Sequence, residues 1–188
     1  AVNDLGNQEN LEYLLKYDSV YGQWEGKFDA KFLQEKDPSK LPWRDLDIDI
    51  VVESSGAFES YEKASLHIQV GAKKVIITAP AKDEDSENNK TVLMGINEND
   101  LKACTITSNG SCTTNSASPI MQILNEKLGI EKAFLNTVHG YTATQSLVDA
   151  PAKGEDYRRG RAAAINIVPS TTGAAISVGR AVHELLGK

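Results

Sequence analysis

The sequence has 188 residues, 40% of them hydrophobic and 24% charged, with a formal net charge of -6; this is enough chain to bury one large core or two small ones, in the composition of an ordinary globular protein. The acidic balance excludes a general nucleic-acid binder, which needs a broad basic face, and no long uncharged apolar run reads as a membrane span. Two cysteines, Cys104 and Cys112, make no disulfide framework, and with no charged, apolar leader at Ala1 the expected compartment is the cytoplasm.

AVNDL (1–5) reads as the end of a strand and a turn, and Leu11, Leu14 and Leu15 have helical spacing. DIDIVVES (47–54) is a short apolar run ending in small polar residues, as expected of a buried parallel strand. Tyr61, Ala64 and Ile68 keep helical spacing before Gly71, and KVIITAP (74–80) is a second buried strand. The acidic run KDEDSENN (82–89) is expected to be a solvated loop, followed by strand candidates TVLMGI (91–96) and LKACTITS (101–108), with Cys104 as inert core. Beyond Cys112, the residues Ile120, Ile123, Leu124 and Leu128 mark a helix face that stops at Gly129, with Pro119 expected in or near its first turns. KAFLNTV (132–138) reads as another strand, and AVHELLGK (181–188) as a helix end with Gly187 at the stop position. Strands alternating with helices indicate a parallel α/β sheet, without repeats or low-complexity segments. The two chain ends raise the expectation of a fragment.

Cys112 stands at a strand-to-helix junction, between SNGS and TTNS. Unpaired N–H groups and the positive end of the helix dipole favour thiolate over thiol there, and the same donors can hold an oxyanion when the sulfur attacks a carbonyl. Ser111, Thr113, Thr114 and Asn115 add side-chain donors. A thiolate nucleophile needs a base. His183 has charged neighbours and His67 lies in an amphipathic helix, so both read as structural or solvated, whereas His139 ends an apolar strand, where α/β sheets build their sites. A cysteine and a histidine far apart in sequence are a weak signal on their own.

SNGSCTTN (108–115), TVHGYTATQ (137–145) and YRRGRAAAINIVPSTTGAA (157–175), in that order, resemble phosphorylating glyceraldehyde-3-phosphate dehydrogenases; NDL, LLKYDSVYG, QEKDPSKLPW, VVESSGAF and VIITAPA support the likeness. The resemblance implies a partial Rossmann-like dinucleotide-binding domain over residues 1–111, half of a doubly wound sheet, then the start of an α+β catalytic domain over 112–188. It also implies a two-step reaction in the glycolytic and gluconeogenic direction. Glyceraldehyde 3-phosphate is oxidised through a cysteine thioester with hydride passing to NAD, and inorganic phosphate then releases an acyl phosphate, 1,3-bisphosphoglycerate.

Carried onto this sequence, Cys112 resembles the nucleophile and His139 its proton-handling partner. Ser111, Thr113, Thr172 and Gly173 resemble ligands of the attacking phosphate, while Thr142, Thr144 and an arginine near Arg159 or Arg161 resemble phosphate ligands for substrate or attacking anion. Arg158 reads equally as a solvated loop residue or a subunit contact. Asp4 resembles the acid that accepts hydrogen bonds from the adenosine ribose and disfavours a 2′-phosphate, and Ser55, Gly56 and Thr78 fall at strand ends lining the dinucleotide groove. The resemblance also implies a homotetramer for the full-length protein.

The sequence also departs from the family. The Gly-rich turn that seats the pyrophosphate would precede Ala1, the region between YGQWEGKF and KFLQEKDP is short of a segment that usually supplies antiparallel strands, and Ser116 replaces a common second cysteine. Further anion- and nicotinamide-contacting residues of the family would follow Lys188. Two other readings follow: a relative acting on erythrose 4-phosphate, and a non-catalytic interaction module that keeps the fold's centre.

Overall fold

Strand β1 (Val2–Asn3) opens the chain and turns into helix α1 (Gln8–Lys16). Asn7 starts that helix, its side chain accepting from the Asn10 N–H at 3.0 Å, the ordinary way of satisfying a first-turn donor. The structure, a computed structural model, describes residues 1–152 and 154–188, which divide into two units, Ala1–Ser111 and Cys112–Lys188.

In the first unit, the shortened region forms a two-residue-stranded hairpin, β2 (Tyr17–Asp18) with β3 (Gly22–Gln23), while β4 (Phe32–Leu33) pairs in parallel with β1. A four-stranded sheet follows, in the order β5 (Ile50–Glu53), β6 (Lys74–Ile77), β8 (Ile106–Ser108), β7 (Asn89–Thr91), every pair parallel. The β1–β4 pair is a separate sheet, so the two sets of strands are not one hydrogen-bonded ladder. Helix α2 (Tyr61–Gln69) is the crossover between β5 and β6, and its Tyr61 and Ala64 join Leu41, Trp43, Val51, Val75, Ile77 and Ile106 in the core. Gly71 follows at φ +118°, where an added Cβ would lie 2.6 Å from that of Arg44, so the turn into β6 needs glycine.

Three expectations are corrected in this unit. The strand after the acidic run is Asn89–Thr91, starting two residues before TVLMGI and sharing only Thr91 with it, because the Asn97 side chain binds the Leu93 N–H and the Thr91 carbonyl and bends the chain into a turn. β5 is not buried on both faces: Val51 and Glu53 face the core, while Ile50 and Val52 are exposed. The acidic run is not simply solvated, since Asp83 accepts from the Tyr61 and Glu62 N–H groups at 2.9 and 3.1 Å and so caps α2 from outside it. Asp85 likewise receives the Tyr61 hydroxyl at 2.7 Å and the Thr91 N–H at 2.8 Å. Cys104 is buried as expected.

The second unit begins with helix α3 (Cys112–Leu128), which stops at Gly129 in the left-handed region at φ +74°. Its buried residues are Thr113, Thr114 and Ser118; the apolar face expected from Ile120, Ile123, Leu124 and Leu128 is exposed. Pro119 lies inside the helix, beyond its first turns. KAFLNTV forms no strand: a strand needs a run of backbone groups taken by a neighbour, and its Ala133 N–H meets the Lys188 carbonyl at 3.0 Å but among the described residues no strand pairs along it. Helix α4 (Ala174–Ala181) buries Ala174, Val178 and Ala181 and packs on α3. Among the described residues no helix is long and apolar enough to cross a membrane.

Candidate active site

Cys112 is the first residue of α3, and its thiol is exposed. Its Sγ lies 3.2 Å from Nε2 of His139, a residue 27 positions further along the chain. The opposite ring nitrogen, Nδ1, is 2.7 Å from the Gly140 carbonyl oxygen. A carbonyl only accepts, so Nδ1 carries a proton, and in the neutral ring Nε2 is the lone pair facing the sulfur. The thiol proton therefore has a receptor in place.

The electrostatics act in the same direction. The Cys112 thiol is held below its ordinary range, first by the hydrogen bond with His139, which outweighs the opposing effect of burial, with smaller contributions from the N–H and hydroxyl of Thr113. His139 is raised, first by the Gly140 carbonyl and then by the sulfur. Lowering one partner and raising the other favours thiolate with imidazolium. Cys104 has the reverse character, because burial pushes its thiol up.

A second group of donors lies in the same unit. Thr142 and Thr144 share a hydrogen bond between hydroxyls at 3.0 Å, and Arg159 reaches the Thr144 hydroxyl at 2.9 Å and that of Ser170 at 2.8 Å. One guanidinium with three hydroxyls is a donor set suited to a phosphate group. Arg161 is paired with Asp149 at 2.9 Å and Arg158 is clamped by both oxygens of Asp156, whereas Arg159, with its Nε 3.7 Å from Asp156, also reaches the threonines. Ser170, Asp149 and Asp156 were not singled out in the sequence, where nothing separates them from other loop polar residues. At the start of α4, the Thr172 hydroxyl accepts from the Ala174 N–H at 3.1 Å and Gly173 occupies the cap position. Thr113 is buried, with its donors on the Cys112 sulfur, and Ser111 immediately precedes α3.

In the first unit, Asp4, Ser55 and Thr78 follow the carboxyl ends of β1, β5 and β6, the ends at which open α/β sheets hold ligands, and all are exposed together with Gly56. Asp4 uses Oδ1 on the Gly6 N–H at 2.7 Å, which orients the carboxylate beside the turn into α1. An oriented, exposed carboxylate at a strand end fits the ribose hydroxyls of a dinucleotide. Ser55 is drawn back onto Glu53, its N–H donating at 2.7 Å, and Thr78 donates its N–H to the Glu53 carbonyl at 3.0 Å.

Residues 1–61 match the family described as "Glyceraldehyde 3-phosphate dehydrogenase, NAD binding domain", and residues 111–188 match "Glyceraldehyde 3-phosphate dehydrogenase, C-terminal domain". The chain belongs to the glyceraldehyde-3-phosphate dehydrogenase family. Similar curated members are the glyceraldehyde-3-phosphate dehydrogenase of Thermotoga maritima, 52% identical over 191 residues (95% of this chain, 56% of that protein), and glyceraldehyde-3-phosphate dehydrogenase B of Aspergillus oryzae, 47% identical over 189 residues (94% and 54%). That of Clostridium pasteurianum is 42% identical over 201 residues, covering 100% of this chain and 59% of that protein. The chain thus spans somewhat over half the length of the curated relatives it matches. Asp4, Ser55 and Gly56 fall within the NAD-binding match, while Thr78 lies beyond it; Cys112, His139 and Arg159 fall within the C-terminal match.

Proposed function

We propose that the chain carries the cysteine chemistry of an NAD-dependent, phosphorylating oxidation of glyceraldehyde 3-phosphate, with residues 1–111 as the cofactor half and 112–188 as the catalytic half. The observation that carries this reading is the 3.2 Å approach of Cys112 Sγ to His139 Nε2, with Nδ1 committed to the Gly140 carbonyl.

The Cys112 thiolate attacks the aldehyde carbon, a C–S bond forms as the C=O π pair moves to oxygen, and that oxygen takes the proton held on His139 Nε2, giving a hemithioacetal and a neutral imidazole. His139 Nε2 takes the hemithioacetal hydroxyl proton as the C–H electron pair leaves, and the carbon becomes a thioester. NAD, when bound, supplies the hydride acceptor. A phosphate oxygen then attacks the thioester carbon, the C–S bond breaks, and acyl phosphate and thiolate are released. A sulfur held as thiolate is both a good nucleophile and a tolerable leaving group, so one environment serves both steps. Arg159, Thr142 and Thr144 are assigned to the substrate phosphate; Ser111, Thr113, Thr172 and Gly173 to the attacking one, with Arg161 left to its pairing with Asp149. Asp4 faces the adenosine ribose and makes NAD the preferred form over its 2′-phosphorylated analogue. Homotetramer assembly and a cytoplasmic location complete the proposal.

NADH formation from glyceraldehyde 3-phosphate, NAD and inorganic phosphate, followed by absorbance for the chain and for Cys112→Ser, tests it. Formation that disappears with Cys112→Ser supports the reading. Equal rates with and without the thiol would remove Cys112 from the chemistry.

A further inference from the structure

One buried polar chain has no part in the thiol chemistry above. Trp43, His67 and Glu53 are all buried, at 5%, 4% and 8% exposure, and come from three separate segments of the first unit. The Trp43 indole Nε1 donates to His67 Nδ1 at 3.0 Å, and His67 Nε2 meets Glu53 Oε2 at 3.0 Å. An indole N–H only donates, so Nδ1 carries no proton; the ring is neutral, with its hydrogen on Nε2 and directed at the carboxylate. The other carboxylate oxygen, Oε1, receives both the N–H and the hydroxyl of Ser55. The Glu53 carboxyl is thereby kept below its ordinary range, since burial raises it but the His67 and Ser55 hydrogen bonds outweigh burial.

A buried carboxylate is costly to desolvate, and an apolar residue would fill the same place on β5 without that cost. What the carboxylate adds is a fixed anchor for the turn that follows. The Ser55 hydroxyl donates to Glu53 and accepts the Ala57 N–H at 3.2 Å, so it is engaged on both sides and pulled inward. Gly56, at φ +72° and exposed, is left at the tip.

We propose that Trp43, His67 and Glu53 form a positioning relay that fixes the Ser55–Gly56 turn, so that the turn offers the Gly56 backbone, and not the Ser55 hydroxyl, to the dinucleotide. This rests on the reading of that strand end as part of the NAD groove. Trp43 sets the histidine tautomer, the histidine orients the carboxylate, and the carboxylate holds the turn.

The test compares the parent chain with Glu53→Gln, Trp43→Phe, Ser55→Ala and Ala64→Gly, the last a core change in α2 outside the relay. Long-range proton–nitrogen NMR reads the His67 tautomer and the Ser55 amide shift, calorimetry reads NAD affinity, and a thermal melt reads stability. The parent should show the Nε2–H tautomer and a downfield Ser55 amide. Glu53→Gln should move that amide upfield and weaken NAD about tenfold, as for one charge-assisted hydrogen bond removed. Trp43→Phe should release the tautomer, and Ser55→Ala should weaken NAD less than Glu53→Gln does. An unmoved Ser55 amide in Glu53→Gln overturns the relay. So does a larger NAD loss in Ser55→Ala, or the same amide shift in Ala64→Gly, which would trace the effect to general destabilisation. If the parent takes up no NAD, the cofactor reading falls, and the amide and tautomer signals still decide whether the relay fixes the turn.

Discussion

Replacing His139 with asparagine removes the leading cause of Cys112 activation and leaves the Thr113 donors in place. An ordinary thiol with a pKa of about 8.5 is roughly 3% ionised at pH 7, so alkylation of a fully ionised Cys112 can fall by at most about thirtyfold when its environment becomes ordinary. Two effects reduce that ceiling. Thr113 still favours the thiolate, and a more basic thiolate is intrinsically more nucleophilic, with a Brønsted slope of about 0.4–0.5. The expected loss at pH 7 is therefore several-fold, well short of the ceiling. Because the folded thiol is shifted down, the parent's reactivity is present above its lowered pKa and lost as pH falls through it. The His139→Asn profile should keep that shape but lie at higher pH, and the two should converge in alkaline solution. Timed iodoacetamide labelling across pH, with peptide mapping by mass spectrometry, measures this, and buried Cys104 serves as the internal slow thiol. Superimposable profiles for parent and variant, or faster labelling of Cys104, would refute the reasoning.

Asp83→Ala should destabilise the first unit by about 1–2 kcal/mol in urea denaturation, the loss expected for a helix cap with a favourable charge, whereas Glu87→Ala, an exposed change in the same run, should stay within about 0.5 kcal/mol. Arg159→Ala should weaken binding of glycerol 3-phosphate, an unreactive stand-in for the substrate followed by phosphorus NMR line shifts, by about tenfold; Arg161→Ala, which removes a partner of Asp149, should leave it near the parent value. The Glu53 carboxyl is depressed below its ordinary 4.5, so its stabilising effect is complete above that pH and lost as pH falls through the folded value. The stability gap between parent and Glu53→Gln, read by denaturant melts, should thus narrow in acid below about pH 4.5; a gap that widens there would contradict the sign.

The parallel sheet was legible because β5 and β6 are short apolar runs closed by polar residues, a pattern fixed by the strands themselves, whereas β8 keeps only the last three residues of LKACTITS, Ile106–Ser108, because Glu98–Lys102 coils into a short 3-10 helix before it. α2 was legible for the same reason, from Tyr61, Ala64 and Ile68. KAFLNTV failed because strand character depends on a neighbour, and β7 shifted because the Asn97 side chain decides where the turn begins. The acidic run hid its role, since Asp83 reaches the α2 N-terminus 22 positions back in sequence, and no local pattern encodes that distance. The Cys112–His139 pair was named from motif likeness; the junction at Cys112 marks a candidate nucleophile, but only the fold brings to it His139, the leading cause of its activation. Choosing among Arg158, Arg159 and Arg161 likewise needed their partners Asp156, Thr144 and Asp149, none distinguished by spacing.

On the proposed chemistry, Cys112 is a thiolate nucleophile able to accept an acyl group and return it to phosphate. Incubation with acetyl phosphate tests that half-reaction without cofactor: the sulfur attacks the acyl carbon, inorganic phosphate leaves, and a thioester remains. Intact-mass spectrometry followed by peptide mapping should find one acetyl group, on Cys112 alone, removed by hydroxylamine, lost on adding excess inorganic phosphate, and formed more slowly in His139→Asn. Acetylation spread over lysines with Cys112 unmodified, or a thioester formed equally fast without His139, would contradict the account.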